Sequence, residues 1–292
     1  MEKKSNQIIR ILLLSFFVFF YSFFISTGST YAHQPRIATN SPIRVLDPEV
    51  SKAYYGKLEG QEAVYEVQSD KPFDLYVNVL VPDIEGQKKD VSAVIFKEGT
   101  ALPIATLNGT NFRWKKFFEE FGHDNYWQGP EYKAQVEAGS YKILVYSSYN
   151  DSKYSLAIGE VEAFDFKEGM NALTLIPQIK RDFFSESPIG FILSPFGYGL
   201  IFVMFALAFI FGFIYRFILK YFTIKSVRAI HKNIGSGDRL IRMAIGFALL
   251  MFAITTSWNP IILFFAGFAF FEAIFSWCGF YAAIGKNSCP IN

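Results

Sequence analysis

Three regimes of hydrophobic patterning follow one another along the chain. An apolar run occupies residues 11–25, alternation with a period of two fills much of residues 45–177, and long apolar runs return from residue 197. The middle regime reads Ala63-Val64-Tyr65-Glu66-Val67 and then Phe73-Asp74-Leu75-Tyr76-Val77-Asn78-Val79. It continues through 91–96, 132–136, 141–146 and 154–158, with turns marked by Pro82, Gly86, Gly99, Gly109, Gly139 and Asn150. Short β-branched and aromatic runs with such punctuation predict a sandwich of two antiparallel sheets.

The last regime predicts three membrane spans. Residues 197–215 carry no charge and at about 1.5 Å each cover about 29 Å, the thickness of a bilayer core. A second span is expected over residues 240–256, and a third over residues 261–283. The turn Ser257-Trp258-Asn259-Pro260 between them is so short that the two must be antiparallel neighbours. The expected fold class is therefore a multidomain membrane protein, an all-β sandwich followed by a helical region of three spans. The boundaries read from the pattern are 1–32 targeting segment, 33–44 linker, 45–178 sandwich, 179–196 linker, 197–215 first span, 216–232 basic segment and 233–292 two-helix domain.

Charge orients this arrangement. Lys3, Lys4 and Arg10 precede the first apolar run, and Thr30 and Ala32 place small residues just before His33. A basic start, an apolar middle and a small-residue end make a secretory signal, with an uncleaved anchor as the alternative. Arg216, Lys220, Lys225, Arg228, Lys232, Arg239 and Arg242 follow the first span with Asp238 as their only acid. That loop is expected on the cytosolic side, which leaves the sandwich outside and the C-terminus inside. Arg216, Lys220, Arg228 and Lys232 recur at multiples of four, a stripe suited to anionic headgroups; an ordinary topology signal is the plainer reading. The formal charge of +2 does not suggest nucleic acid.

Depth in the membrane follows from the turn. Arg242 lies sixteen residues before Trp258 and Glu272 fourteen after it. A lone ion there costs at least about 2.5 kcal/mol, so Glu272 is expected to face Arg242 or Arg239, as a register-fixing pair rather than a proton carrier.

One stretch breaks the strand pattern. Residues 114–132 are crowded with aromatics and carboxylates, and Trp114, His123, Asp124, Tyr126, Trp127 and Glu131 form a candidate ligand loop. Such groups can stack on sugar rings or hold a metal; the plainer expectation is a loop over one end of the sandwich with a small core of its own. Glu119 and Glu120 are adjacent and diverge on a helix, against a glycosidase pair.

The only cysteines are Cys278 and Cys289. Two nearby thiols can cycle between dithiol and disulfide, accept sulfur or bind a soft metal; packing and an inert tail are the alternatives. The run Asn233-Ile234-Gly235-Ser236-Gly237-Asp238-Arg239-Leu240-Ile241-Arg242, followed by Trp277-Cys278-Gly279-Phe280-Tyr281 and Gly285-Lys286-Asn287-Ser288-Cys289-Pro290, resembles the transmembrane domain of the YgaP-like inner-membrane family. The resemblance covers about residues 233–290 and implies a bacterial inner membrane and a homodimer through that domain. Some members join it to a sulfur-transfer rhodanese module. This chain has no such module, and Gly279 stands where a proline is common. The strand start Gly139-Ser140-Tyr141-Lys142-Ile143 is similar to those of jelly-roll and immunoglobulin-like accessory domains in general.

No G-x-S-x-G elbow, H-E-x-x-H pair or phosphate loop occurs, and no cofactor is suggested. The expected function is a non-catalytic, membrane-anchored, exported binding or scaffold protein with an extracytoplasmic partner. The alternative is a thiol-based redox or sulfur-handling protein using the two cysteines.

Overall fold

The computed structural model describes residues 33–39, 41–163, 165–222 and 232–289. The chain divides into two compact units, Met1–Ala32 and His33–Asn292. The targeting segment, Lys225 and Arg228 lie outside the described residues, as does the side chain of Lys220.

Eleven strands form among the described residues: β1 Gln34–Ile37, β2 Ile43–Val45, β3 Lys52–Lys57, β4 Ala63–Ser69, β5 Phe73–Pro82, β6 Ser92–Lys97, β7 Ala105–Leu107, β8 Lys115–Glu119, β9 Asp124–Val136, β10 Gly139–Tyr146 and β11 Lys153–Ile158. One sheet has the order β1-β3-β11-β5-β9-β8, the other β2-β4-β10-β6-β7. Pairing is antiparallel throughout, except that β1 lies parallel to β3 and β2 to β4. Period-two alternation aims Tyr65 and Val67, Leu75 to Val81 at odd positions, Ala93 and Ile95, Ile143 and Val145, and Leu156 and Ile158 into one shared core. The hydroxyls of Tyr65 and Tyr154 satisfy each other inside it at 2.9 Å.

Two expectations are corrected here. Residues 33–44, read as a linker, supply β1 and the start of β2, short edge strands whose length hides their alternation. Residues 114–132, read as a loop, form the β8–β9 hairpin. Strand β8 is a sheet edge exposed on both faces, so nothing in it alternates. A bulge at Gly129-Pro130 shifts the β5–β9 register between Asn78 and Leu80. Gly129 is required there, because a Cβ would stand 2.6 Å from the Trp114 ring and 2.8 Å from the Val79 carbonyl oxygen.

The end of the expected all-β sandwich is helical: helix α1, Phe166–Gln178, follows the last strand. The second supposed linker, 179–196, is structured too, with a π-helical turn, Ile179–Phe183, and a 3-10 helix, Pro188–Leu193. Asp165 caps α1 by accepting from the Glu168 amide at 2.8 Å, and Arg36 holds the Glu168 carboxylate through two bonds of 2.8 Å. Ile179, Phe183 and Phe184 of this segment pack with Leu80, Tyr126 and Ala157 on the outer face of the larger sheet. Ala172, Leu173 and Ile176 turn the other way, toward the helical region. The segment is therefore apolar on two sides, each covered by a different body.

Helices α2 Pro195–Phe222, α3 Ser236–Thr256, α4 Pro260–Phe275 and α5 Gly279–Ile284 complete the chain. Two helical stretches, Pro195–Leu219 and Ser236–Thr256, are long and apolar enough to cross a membrane. Leu207, Phe211 and Ile214 on α2, and Ile241, Phe247 and Phe252 on α3, remain exposed, apolar side chains of the kind that face a membrane or a protein partner. Small residues bring the helices together: a Cβ on Gly212 would meet Phe271 at 2.4 Å, and one on Gly267 would meet Phe205 at 3.0 Å. The expected third span, 261–283, is not one helix. Helix α4 has 16 residues and ends at Ser276, whose φ of 53° is left-handed.

Candidate functional site

Two polar clusters stand out, one at each end of the helical region. The first is the seam where the β8–β9 hairpin meets α1. The hairpin turn folds back on itself because the Glu119 carboxylate accepts from the amides of Phe121 at 2.7 Å and Gly122 at 2.6 Å. This aims Asp124 at Lys180, whose ammonium donates to Asp124 Oδ1 at 2.6 Å. Both side chains are buried, with 1% and 5% exposure. Next to them the Tyr55 and Tyr126 hydroxyls meet at 3.0 Å. A cavity of about 30 Å³, bounded by His33, Tyr55, Glu119, Gly122, Asp124 and Ile176, lies under α1, room for about two waters. Burial pushes the Glu119 carboxyl up to about 7 and Asp124 up to about 6, while burial lowers the His33 imidazole to about 4.

The seam extends to the helices. The Phe121 ring packs on Phe196 at the start of α2, with centroids 4.9 Å apart. Arg181 donates to the Thr256 carbonyl at 2.6 Å. Trp258, fully buried in the α3–α4 turn, donates from Nε1 to the Pro188 carbonyl at 2.9 Å and stands edge-on to Phe191. Lys153 of β11 donates to the carbonyls of Asp182 and Phe183, at 2.8 Å each, and so fastens the π-helical turn to the sheet.

The six residues of the candidate ligand loop do not share a surface. Asp124 and Tyr126 are in the seam. Trp114 and Trp127 pack against the sandwich core, and their indoles donate to the Gly109 carbonyl and to Asp83 Oδ1, each at 2.8 Å. The Trp127 ring is covered by Lys89 Nζ at 3.7 Å, with Lys116 Nζ at 5.1 Å. His123 meets Phe118 edge-on, and Glu131 accepts from the Tyr76 hydroxyl at 3.2 Å. Alternation along β9 sends Tyr126 to one face of the sheet and Trp127 to the other, so the aromatics offer no common platform for a sugar. Lys180 was not among the expected site residues; in the sequence it sits beside Arg181 and Asp182, which makes it look like an ordinary solvated flank.

The second cluster lies at the opposite end of α3 and α4. Arg242 forms an ion pair with Glu272 through Nη1 and Oε2, and Arg239 donates from Nε to the Ala273 carbonyl at 2.9 Å. The break after α4 is tied by Asn233. Its side chain donates to the Cys278 carbonyl at 2.9 Å and accepts from the Cys278 amide at 2.8 Å. Its own amide donates to the Ser276 carbonyl at 3.0 Å. Its carbonyl accepts from the Ser288 amide at 3.1 Å, and the Ser288 hydroxyl reaches Asp238. Gly235 leaves room for this knot, because a Cβ would lie 2.3 Å from the Ser288 carbonyl oxygen.

Both cysteines are free thiols. Cys278 is 2% exposed, and its thiol faces Glu272. Cys289 is half-buried, with its sulfur 3.7 Å from the Lys232 carbonyl oxygen. Exposure governs thiol attack, so a maleimide in native micelles should label Cys289 at least about tenfold faster than Cys278, read by peptide mass spectrometry; equal rates would show that the knot opens readily. Among the described residues no three His, Cys, Asp or Glu side chains are placed to hold a metal ion.

No curated protein matches the chain. Among solved structures, the pre-peptidase C-terminal domain of a collagenase from Bacillus anthracis overlaps 44% of this chain and 95% of its own, at 11% identity and a TM-score of 0.25. CorA, a surface-associated copper-binding protein of Methylomicrobium album BG8, overlaps 43% of this chain and 100% of its own, at 8% identity and a TM-score of 0.23. Both likenesses are too distant to add to the description of the sandwich. The helical end is different: residues 230–292, which hold the Asn233 knot and the Arg242–Glu272 pair, match the family model of the inner membrane protein YgaP-like transmembrane domain.

Proposed function

We propose that the chain is a non-catalytic, membrane-anchored scaffold that presents its β-sandwich on the extracytoplasmic side of a bacterial inner membrane. The observation that carries this reading is the seam. An anchor alone needs only a flexible linker, but here the segment 166–193 packs against the sheet on one side and the helices on the other. Lys180, Arg181 and Trp258 add directed bonds to it. Such a joint holds the sandwich at a set height and angle over the bilayer, which suits presentation to a partner protein. The basic segment fits the cytosolic face and its anionic headgroups, and the YgaP-like domain is the proposed surface for a homodimer.

Thiol labelling from each side of the membrane tests the placement. Asp70→Cys, exposed in the β4–β5 turn, should react with an impermeant maleimide on spheroplasts, while native Cys289 should react only after permeabilisation. The reverse pattern would overturn the proposal.

Thiol chemistry is the second reading. One observation favours it: the Lys232–Asn233 segment touches both cysteine positions, through the Cys278 backbone and the Cys289 sulfur. A Cys278→Ser, Cys289→Ser double variant that matches wild type under oxidant and sulfide challenge would remove it.

A further inference from the structure

Strand β8 reads Lys115-Lys116-Phe117-Phe118-Glu119, and its first four side chains are exposed. Successive side chains of a strand point to opposite faces. Phe118 therefore shares a face with Lys116, and Phe117 shares the other with Lys115. On both faces the phenylalanine is nearer the hairpin turn and the lysine is two residues farther from it. The polarity of β8 is graded along the strand and not across it. A partner that meets such an element end-on must itself change from apolar to charged over a few ångströms.

The helices set the level of the turn. About 20 residues at about 1.5 Å each cover the hydrocarbon of a bilayer. Counted outward from Arg216, the first charge within α2, they reach Phe196. The Phe121 ring of the hairpin turn packs on Phe196, with centroids 4.9 Å apart, and the Glu119 carboxylate holds the Phe121 amide at 2.7 Å. Phe118 and Phe117 follow within about 7 Å of Glu119 along the strand. A headgroup layer is about 5–7 Å thick on each side of the hydrocarbon. Lys116 and Lys115 lie about 10–14 Å along, where their flexible stems let the ammoniums reach back to phosphate. Lys89 adds a further ammonium over Trp127, which pairs with Lys116 in the hairpin, while Asp83 engages Lys116 at 3.1 Å. Leu193 and Tyr198, on either side of Phe196 in the chain, are exposed as well.

We propose that the β8–β9 hairpin is a lipid-contacting element, its turn seated in the headgroup layer of the leaflet beneath the sandwich, with Phe117 and Phe118 among the headgroups and Lys115 and Lys116 on the phosphates. Two features keep the contact shallow. Strand β8 is an open sheet edge, whose outward backbone groups need water or headgroups and find neither in hydrocarbon. Glu120 is exposed at the turn, and a carboxylate there belongs in the hydrated layer. The hairpin is thus a second foot of the sandwich, beside the seam.

The inference rests on the membrane placement proposed above, and a set of depth measurements separates the two. The full chain carrying Cys278→Ser and Cys289→Ser is placed in phospholipid nanodiscs. A nitroxide is attached in turn at Phe118→Cys, at Lys115→Cys, at Leu207→Cys in the middle of α2, and at Asp70→Cys in the β4–β5 turn. Collisions with oxygen, which enters hydrocarbon, and with a water-soluble nickel chelate give the depth of each label. The label at 207 should read deep and that at 70 aqueous. The label at 118 should read within about 7 Å of the phosphates, with that at 115 on its watery side. A label at 118 as aqueous as that at 70, while 207 reads deep, overturns the lipid contact and leaves the spans standing. A label at 118 shielded from both reagents overturns it too, because a protein surface then covers the hairpin. If 207 reads aqueous as well, the membrane placement falls and the lipid contact with it.

Discussion

Lys180→Met should cost the seam about 3–5 kcal/mol, the usual loss when one partner of a buried pair is removed. The reason is Asp124. It is 5% exposed and bonded to Lys180, so without the lysine its carboxylate keeps the desolvation cost and loses the attraction. The second substitution is the informative one. Adding Asp124→Leu to Lys180→Met should recover most of the loss, because apolar replacements of a buried pair are often neutral. A seam that simply needs bulk at residue 180 would predict no recovery. Urea midpoints in micelles, followed by limited proteolysis within residues 179–193, check both outcomes.

Trp258→Ala should cost a similar amount, about 3–5 kcal/mol, from lost burial and the cavity left behind. The side chain is fully buried between Phe191, Leu263 and Ile254, and its indole holds the Pro188 carbonyl. Trp258→Phe keeps most of the ring and loses one hydrogen bond, so it should cost about 1 to 2 kcal/mol. The two differ in place as well as size. The alanine variant should speed amide exchange over both the 3-10 helix and the α3–α4 turn, because the tryptophan is their common core. Exchange confined to the turn would mean that the 3-10 helix is held by the sandwich alone.

Much of the sandwich could be read from alternation because β4, β5, β6 and β10 are interior strands with one face on the core. The same reasoning failed for β8, whose both faces are open, and for β1 and β2, too short to show a period. Helix α1 was hidden by Gly169 and Pro177, residues that ordinarily end a helix. Pro177 is accommodated where the α-helix passes into a π-helical turn. The meeting of Arg242 with Glu272 could be anticipated because a tight turn at Trp258 sets both at one depth. No such ruler exists between Asp124 and Lys180, which are 56 residues apart and joined by three strands and a helix. The candidate ligand loop was misread for a related reason. Composition grouped its aromatics, and the pleat of β9 then divided them between two faces.

The left-handed break at Ser276 has a consequence for the bilayer itself. Helix α4 has 16 residues and rises about 24 Å, against about 30 Å of hydrocarbon. Helix α3, with 21 residues, rises about 32 Å and suits the full thickness. The paired helices thus ask for different thicknesses on two sides of one protein. The polar knot of Asn233 supplies hydrogen bonds to the Ser276–Cys278 backbone without water, so the chain itself tolerates the break at depth. In the membrane placement proposed above, the lipid beside α4 would thin by a few ångströms or be displaced by another protein surface. Either response costs a fraction of a kcal/mol per ångström, which makes the short side of the helical region sensitive to acyl-chain length. In the membrane placement and homodimer proposed above, short-tailed lipids would favour single copies and long tails would drive the short sides of two copies together.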